Sequence, residues 1–362
     1  MILIMKPKKS KLQSNNKLSW IGVAAVYIGV IMGAGFASGR ECWQFFGVFG
    51  KYGFYGTLYV MIAFFIVSFM LTFISLKKNT NDLGELISPV DNSFIKRIIK
   101  IILAITYYSM IIAMTAAGGS LLNQQFGINK AVGGAIIGVA VLITILGDFE
   151  RISKIFKYIE PVMITIALIT IISIIFNKDI SQSGNISGFE ISKMTPNWII
   201  SSMLFVSFNS LGMITIASDA ALSARDKKNA FCGAGISSIL LGLLTIILLF
   251  ALQKDMAFSD SLDMPMLGFS MKINKILNIL YAIVLCLGVY STGSGTYYAF
   301  GKNIPESKLK KPILIFGILA GYVVGLTGFK KIVLYLYPIQ GYLGIVILIF
   351  IFLNFCKEFK NN

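Results

Sequence analysis

The stretch Gly29-Val-Ile-Met-Gly33-Ala-Gly35-Phe-Ala-Ser38-Gly39 lies in the middle of an apolar segment that runs from Leu18 to Phe46. The segment is long enough to cross about 30 Å of hydrocarbon, yet each glycine costs roughly 1 kcal/mol relative to alanine inside a helix. A helix break at this depth is tolerated where it lines a cavity. The stretch therefore predicts a discontinuous first helix, with amides freed at residues 35–39 that can receive a carboxylate. Close packing of small residues is the alternative interpretation.

The composition places the rest of the chain in a membrane as well. Of the 362 residues, 56% are hydrophobic and only 13% are charged, with a mean hydropathy of +0.79. A soluble domain of this size carries about 25% charged residues. The chain has no histidine, and its four cysteines stand alone, so neither a metal centre nor acid–base catalysis is expected. We therefore predict a protein that is not an enzyme and that needs no cofactor.

Hydropathy divides the chain into ten predicted spans separated by short loops. They are approximately Leu18–Phe46, Phe54–Leu76, Ile98–Leu122, Ala131–Gly147, Tyr158–Phe176, Asn197–Leu222, Ala230–Leu252, Ile273–Phe300, Pro312–Thr327 and Ile332–Phe355. The tails and loops on the side of the N-terminus carry 22 of the 32 Lys and Arg residues. This bias predicts a multi-pass protein of the cytoplasmic (inner) membrane with both termini in the cytoplasm. It also explains the net charge of +16 without a nucleic-acid partner.

The ten spans form two groups of five with similar spacing, which favours an inverted-topology repeat of the kind found in secondary transporters. The predicted organisation is a cytoplasmic tail (1–17), a first repeat (18–176), an extracellular loop (177–195), a second repeat (196–355) and a cytoplasmic tail (356–362). Ser207-Phe-Asn209-Ser-Leu-Gly212 in span six corresponds in position to the glycine stretch of span one. We expect a second helix break there, although a hydrogen bond from Asn209 to another helix explains the pattern equally well.

Span eight contains Tyr290-Ser-Thr-Gly-Ser-Gly-Thr296, with four Ser or Thr hydroxyls among these residues. Ser291, Thr292 and the carbonyl of Gly288 supply oxygens that a hard cation such as sodium prefers. The alternative is that the hydroxyls bond back to their own helix. One of Tyr107 and Tyr108 in span three is expected to face the cavity. Arg40 and Glu41, just beyond the glycine stretch, are the candidates for gating.

The run Gly33-Ala-Gly-Phe-Ala-Ser-Gly-Arg-Glu41, followed by Trp43-Gln-Phe-Phe46, resembles the first span of the YkvI-like amino acid permease family, and Val206-Ser-Phe-Asn209 agrees with it. That family is placed in the amino acid–polyamine–organocation superfamily, whose fold is the LeuT type of five plus five helices, with helices one and six discontinuous. The resemblance covers essentially the full length of the chain.

The resemblance implies two sets of site residues. The backbone of spans one and six would bind the substrate's carboxylate and amino group, at Gly33, Ala34, Gly35, Phe36, Ala37, Ser38 and Gly39 and at Phe208, Asn209, Ser210 and Gly212. A sodium site would use the carbonyls of Gly29 and Met32 with Ser291 and Thr292. The asparagine of a second sodium site is missing near Phe36, and span ten has no acidic partner for Arg40.

These observations predict a secondary active transporter, a sodium- or proton-coupled symporter of an amino acid or similar small zwitterion, that works by alternating access. Sodium is the favoured ion, and Glu41 is the closest carboxyl group if the ion is the proton. The rival is a ligand-sensing receptor subunit of the same fold that does not transport, as in germinant receptors. The expected partners are the lipid bilayer and the small-molecule substrate, and the sequence leaves the oligomeric state open.

Overall fold

The computed structural model describes residues 17–147, 149–182 and 188–361, and these residues form helices and loops. The predicted tail, residues 1–17, lies almost wholly outside the described residues. The helices are α1 (Trp20–Ile31), α2 (Ala34–Ala37), α3 (Arg40–Phe45), α4 (Lys51–Lys78), α5 (Leu83–Ile87), α6 (Ser93–Phe126), α7 (Lys130–Leu146), α8 (Phe149–Phe176), α9 (Trp198–Leu222), α10 (Lys227–Gln253), α11 (Met256–Ser261), α12 (Pro265–Ile273), α13 (Lys275–Lys302), α14 (Lys310–Gly325), α15 (Phe329–Lys331) and α16 (Tyr337–Lys360). A π-helical turn (Ile332–Leu336) joins the last two.

Each of the ten apolar segments falls on one of the helices or on a group of consecutive helices. Among the described residues, five helical stretches are long and apolar enough to cross a membrane, and α9 makes a sixth if its two bent parts count as one span. The five are α4, α6, α10, α13 and the continuous run from α15 to α16. Segment one is divided among α1, α2 and α3.

Side-chain caps fix where several of these helices begin. Asn92, Asn197 and Asn274 accept hydrogen bonds from first-turn amides of α6, α9 and α13, and Asp226 does the same for α10. An Asn or Asp side chain at this position satisfies an amide that has no partner within the helix. The polar residues between apolar runs thus set the ends of the spans.

The helix ends meet at two opposite faces of the bundle. On the terminal face, Lys78 pairs with Glu358 at 3.4 Å, and the Asn81 amide donates to Asp219 at 2.7 Å. Leu18 pairs with residues 223–225 on the same side. On the loop face, Gln44 donates to the carbonyl of Glu190, and Lys130 pairs with Asp263. Since α1 starts at the terminal face, its break lies between the two faces.

Glycines permit close contact between α9 and α16. A Cβ at Gly344 would lie 2.4 Å from the Ser207 carbonyl oxygen, and one at Gly341 would lie 2.8 Å from the Leu204 carbonyl oxygen. Such contact between small residues replaces the hydrophobic driving force that helices lack in lipid. It also brings span six and span ten together beside α3.

The expected break in span six is wrong at its predicted position, since α9 is helical through residues 208–212. Ser207, Asn209 and Ser210 donate to the carbonyls of Met203, Phe205 and Val206 on their own helix. These bonds satisfy the polar groups locally, so the helix has no need to open. Helix α9 departs from a straight helix further along the chain, where it bends by 53° between Trp198–Ile214 and Ile216–Leu222.

Candidate functional site

Span one is interrupted at Met32 and Gly33, as the glycine stretch predicts. Helix α1 ends at Ile31, and α2 starts at Ala34 after Gly33, whose backbone is extended. In this part of the chain, no backbone hydrogen bond joins the amides of residues 33–36 to the carbonyls of residues 29–32. The break therefore offers acceptors from one helix end and donors from the next. The free amides lie at residues 33–36 rather than at the expected 35–39.

A second interruption follows at Ser38 and Gly39. The Ser38 hydroxyl donates to the Gly35 carbonyl at 2.6 Å and accepts from the Arg40 amide at 3.1 Å. Gly39 has φ +78°, the left-handed conformation that glycine adopts without strain. A Cβ there would also lie 2.7 Å from Met266 Cγ. Gly39 therefore turns the chain into α3 and admits α12 against it.

Span eight packs directly against the first break. A Cβ at Gly33 would lie 3.6 Å from Thr292 Oγ1, and one at Gly288 would lie 3.6 Å from the Ala34 Cβ. The Tyr281 hydroxyl donates to the carbonyl of Ala37. The structure thus brings the hydroxyl-rich part of span eight to the break, as the two sequence patterns suggested separately.

The oxygens predicted for sodium divide into two groups. Ser291 is buried and donates to the Gly288 carbonyl at 3.0 Å, on its own helix. Thr292 lies at the break beside Gly33. The carbonyls of Gly29 and Met32 belong to the open end of α1. Thr292 therefore lies beside span one, and Ser291 makes the bond to its own helix that was the alternative interpretation.

Glu41 lies against the glycine stretch itself. Its carboxyl oxygen occupies the position of a Cβ at Gly35, where a side chain would collide with it at 1.6 Å. The Glu41 side chain is buried, at 4% exposure. A carboxyl group thus stands beside the backbone that was predicted to receive the substrate. A larger residue at position 35 would have to displace the Glu41 side chain, which folds back over Gly35.

Tyr337 of span ten faces Glu41, and Phe208 of span six stacks on Tyr337 with ring centroids 4.6 Å apart. The Tyr337 hydroxyl neighbours the Glu41 carboxyl but does not reach hydrogen-bonding geometry with a described residue. A π-helical turn ends directly before Tyr337, and Pro338 follows. Proline lacks an amide hydrogen and displaces the carbonyl four residues earlier, which accounts for a widened turn here.

Arg40 is fully buried and points away from the break toward the loop between spans seven and eight. Its guanidinium donates to the carbonyls of Asp260 and Leu262 at 3.1 and 3.2 Å. It lies 3.6 Å from the Asp260 carboxylate. The missing acidic residue of span ten is therefore supplied by α11. The Trp43 indole also donates to Asp260, at 2.9 Å.

Asp263 joins the same loop to three other elements. It accepts from Lys130, from the Ser120 hydroxyl at 2.9 Å and from the Lys330 amide at 3.3 Å. Burial alone would raise the pKa of the Asp263 carboxyl, but these donors lower it below the usual 3.8. The pKa of Asp260 is lowered in the same way, because Trp43, Lys330 and Arg40 outweigh its burial. Both carboxylates hold the segment from α11 to α12, which we call the lid, over the break on the loop face.

The remaining predicted residues lie around the site to different degrees. Tyr108 donates to the Gly317 carbonyl at 3.2 Å and packs on Phe300, so it faces spans eight and nine. Tyr107 is half-buried against the core. Phe208 reaches the site through Tyr337, whereas Asn209 and Ser210 bond to their own helix and Gly212 is exposed.

Sequence reasoning missed Tyr337, Asp260 and Asp263. Pro338 within an apolar span was the available signal for Tyr337, because proline distorts the helix just before it. For the lid, the signal was a loop with two aspartates among the apolar residues Met256-Ala-Phe258 and Met264-Pro-Met-Leu267. Such a loop has apolar side chains to bury, so it folds into the protein rather than into water.

The chain is similar to two proteins of Bacillus subtilis (strain 168). It is 25% identical over 344 residues to the membrane protein YkvI, covering 93% of this chain and 95% of YkvI. It is 24% identical over 324 residues to YyaD, covering 89% of this chain and 93% of YyaD. No family model matches the chain.

Two solved structures share its fold. The inward-facing conformation of Mhp1 matches with a TM-score of 0.56 at 13% identity, covering 97% of this chain and 80% of Mhp1. The manganese transporter of Eremococcus coleocola matches with a TM-score of 0.52 at 12% identity, covering 94% of this chain and 85% of that one. Both have the LeuT-type fold of membrane transporters, and the relatives cover nearly the full length. The resemblance seen in span one is confirmed: the chain is a multi-pass membrane protein similar to YkvI, with a LeuT-type transporter fold.

Proposed function

We propose that the protein is a secondary active transporter that moves an amino acid or a similar small zwitterion across the cytoplasmic membrane by alternating access. The observation that carries this proposal is the break at Met32 and Gly33. The helical hydrogen bonding of span one stops after the Met32 amide and resumes at the Ala37 amide, beside Thr292 and beneath the lid. Backbone left open at this depth is stable in a membrane protein where a polar ligand or water completes its hydrogen bonds.

The proposed architecture has ten crossings arranged as two inverted groups of five. In this arrangement α1, α2 and α3 together make the first crossing, and the bent α9 makes the sixth. Departures from a straight helix at these two related places support the repeat, because secondary transporters place their binding sites at such helices.

The lid supports a specific state of the transport cycle. Arg40, Asp260 and Asp263 close the loop face over the break, and the Met266 amide donates to the Ser38 carbonyl at 3.0 Å. We assign the structure to a state closed on the loop face. With the terminal face in the cytoplasm, this state would be inward-facing, as is the solved conformation of Mhp1 that shares the fold.

The test is counterflow. Purified protein in proteoliposomes is loaded with one unlabelled amino acid at a time, and entry of the same labelled amino acid is measured against empty liposomes. At least one amino acid should exchange at a rate that saturates with its concentration. Saturable binding of an amino acid without any counterflow would instead establish the ligand-sensing alternative.

A further inference from the structure

We propose that Glu41 is the proton-binding group of this site, and that its protonation couples transport to the pH gradient. The inference rests on the proposed transport function and deepens it by naming the coupling ion. It concerns a carboxyl group that the structure places against Gly35, whereas the sequence analysis placed it just beyond the glycine stretch as a gating candidate.

The first observation is that Glu41 is buried without a cation. Within the described part of the chain, no Lys or Arg nitrogen lies within 4.0 Å of its carboxyl oxygens. The neighbouring Arg40 directs its charge at the lid instead. A buried carboxylate without a partner is costly in a membrane, and intramembrane carboxyl groups characteristically serve proton or ion pathways.

The second observation is what surrounds the group. Tyr337 faces it from span ten, and Cys42 follows it on α3. The other described elements that pack on α3 present no further titratable group to it. Asp260 and Asp263 are held by the cations of the lid. When Glu41 gains or loses its proton, no neighbouring group among these residues therefore compensates for the change in charge.

The third observation links the proton to the substrate. The Glu41 carboxyl lies on Gly35, in the stretch where the backbone is proposed to bind the carboxylate of a zwitterion. Two carboxylates at one site disfavour each other's charged forms. A protonated Glu41 therefore admits the substrate, and loss of the proton expels it. Proton and substrate would bind together and leave together, which is symport.

The sodium alternative is weaker in this geometry. Thr292 lies beside Gly33 of span one, whereas the Ser291 hydroxyl donates to the Gly288 carbonyl of its own helix. Glu41 needs no further ligand to take up a proton.

The experiment compares wild type, Glu41→Gln and the control Glu306→Gln in proteoliposomes. Glu306 is an exposed carboxylate paired with Lys310. With sodium replaced by choline, an imposed pH gradient should drive accumulation of the exchanging amino acid in wild type and in the control. In Glu41→Gln this accumulation should fall at least tenfold. The counterflow that remains in this variant should no longer vary with pH. Glu41→Asp keeps a titratable group and should recover part of the accumulation.

A second measurement needs no substrate. Infrared spectra of wild type should contain the carbonyl band of a buried protonated carboxyl group, which titrates with pH, and Glu41→Gln should lack it. The proposal is overturned if the spectra of wild type and Glu41→Gln match at every pH. It is also overturned if the pH gradient drives equal accumulation in Glu41→Gln and wild type, or if accumulation in wild type depends on sodium at fixed pH. If the band is present but no amino acid exchanges, the transport proposal fails while the proton site stands.

Discussion

Arg40 illustrates how far a single residue could be understood from sequence. Its position after the glycine stretch predicts a gating role, but span ten offers no carboxylate to pair with it. The partner, Asp260, lies 220 positions away in a loop. Only the folding of that loop into the bundle brings the two together, and the apolar residues around Asp260 are the sequence signal for that folding.

The first prediction concerns this pair. Asp260→Asn removes the negative charge that faces the buried guanidinium and weakens the bonds from Trp43 and Lys330. Each hydrogen bond to a charged group contributes about 1.5–3 kcal/mol. We expect a lower melting temperature in detergent and altered Trp43 fluorescence. The matched control is Asp91→Asn, whose partner Lys96 lies on the surface. A variant that melts with wild type would show that the lid does not depend on Asp260.

The second prediction concerns the break. Gly33 has φ −68° and extended ψ, and a Cβ there would meet only Thr292 Oγ1, at 3.6 Å. Gly33→Val is therefore compatible with the fold, but its methyl groups fill the space between spans one and eight. We expect near-normal thermal stability and at least a tenfold loss of counterflow, because a small displacement of a bound group costs about that much or more.

Gly138→Ala is the control, since its added Cβ meets two side chains at ordinary distances of 3.5 and 3.6 Å, between α7 and its neighbours. Equal counterflow in Gly33→Val and Gly138→Ala would remove the break from the substrate path.

At the scale of elements, the helices and the break in span one were predictable, whereas the continuity of span six was not. The stretch in span one has four glycines and one serine, whereas the stretch in span six has two serines, one asparagine and one glycine. In α9 the side chains of Asn209 and Ser210 bond to carbonyls one turn back, which keeps the helix closed. In span one, glycines at 33, 35 and 39 have no side chain that could do this. Local side-chain bonding, rather than polarity as such, separates the two cases.

The third prediction concerns the lid as an element. Both lid carboxylates have lowered pKa values, so they stabilise the closed lid above the usual value of 3.8, and this stabilisation is lost as the pH falls through the lowered pKa. We expect the lid to stay closed between pH 5 and 8 and to loosen only in stronger acid. Trp43 fluorescence during a pH titration measures this. Loosening of the lid near neutral pH would contradict the stabilisation by Asp260 and Asp263. In that case a pH effect on transport could no longer be attributed to Glu41 alone.

At the scale of the whole molecule, the charge distribution predicts how the protein is oriented in the membrane. The contacts place the start of α1 and the ends of α4, α9 and α16 on the terminal face. The tails and loops on this face contain 22 of the 32 Lys and Arg residues. Basic loops remain on the cytoplasmic side during insertion. The terminal face should therefore be cytoplasmic, and the lid should face the outside.

Single cysteines test this orientation. In a background with all four native cysteines replaced by serine, Lys228→Cys marks the terminal face and Lys178→Cys marks the loop face, and both positions are exposed. A membrane-impermeant maleimide added to intact cells should label residue 178 at once and residue 228 only after the membrane is opened. In the ten-crossing arrangement one crossing, span six, lies between residues 178 and 228. The two positions must therefore lie on opposite sides of the membrane. Labelling of both positions in intact cells would reject the ten-crossing arrangement together with its inverted repeat.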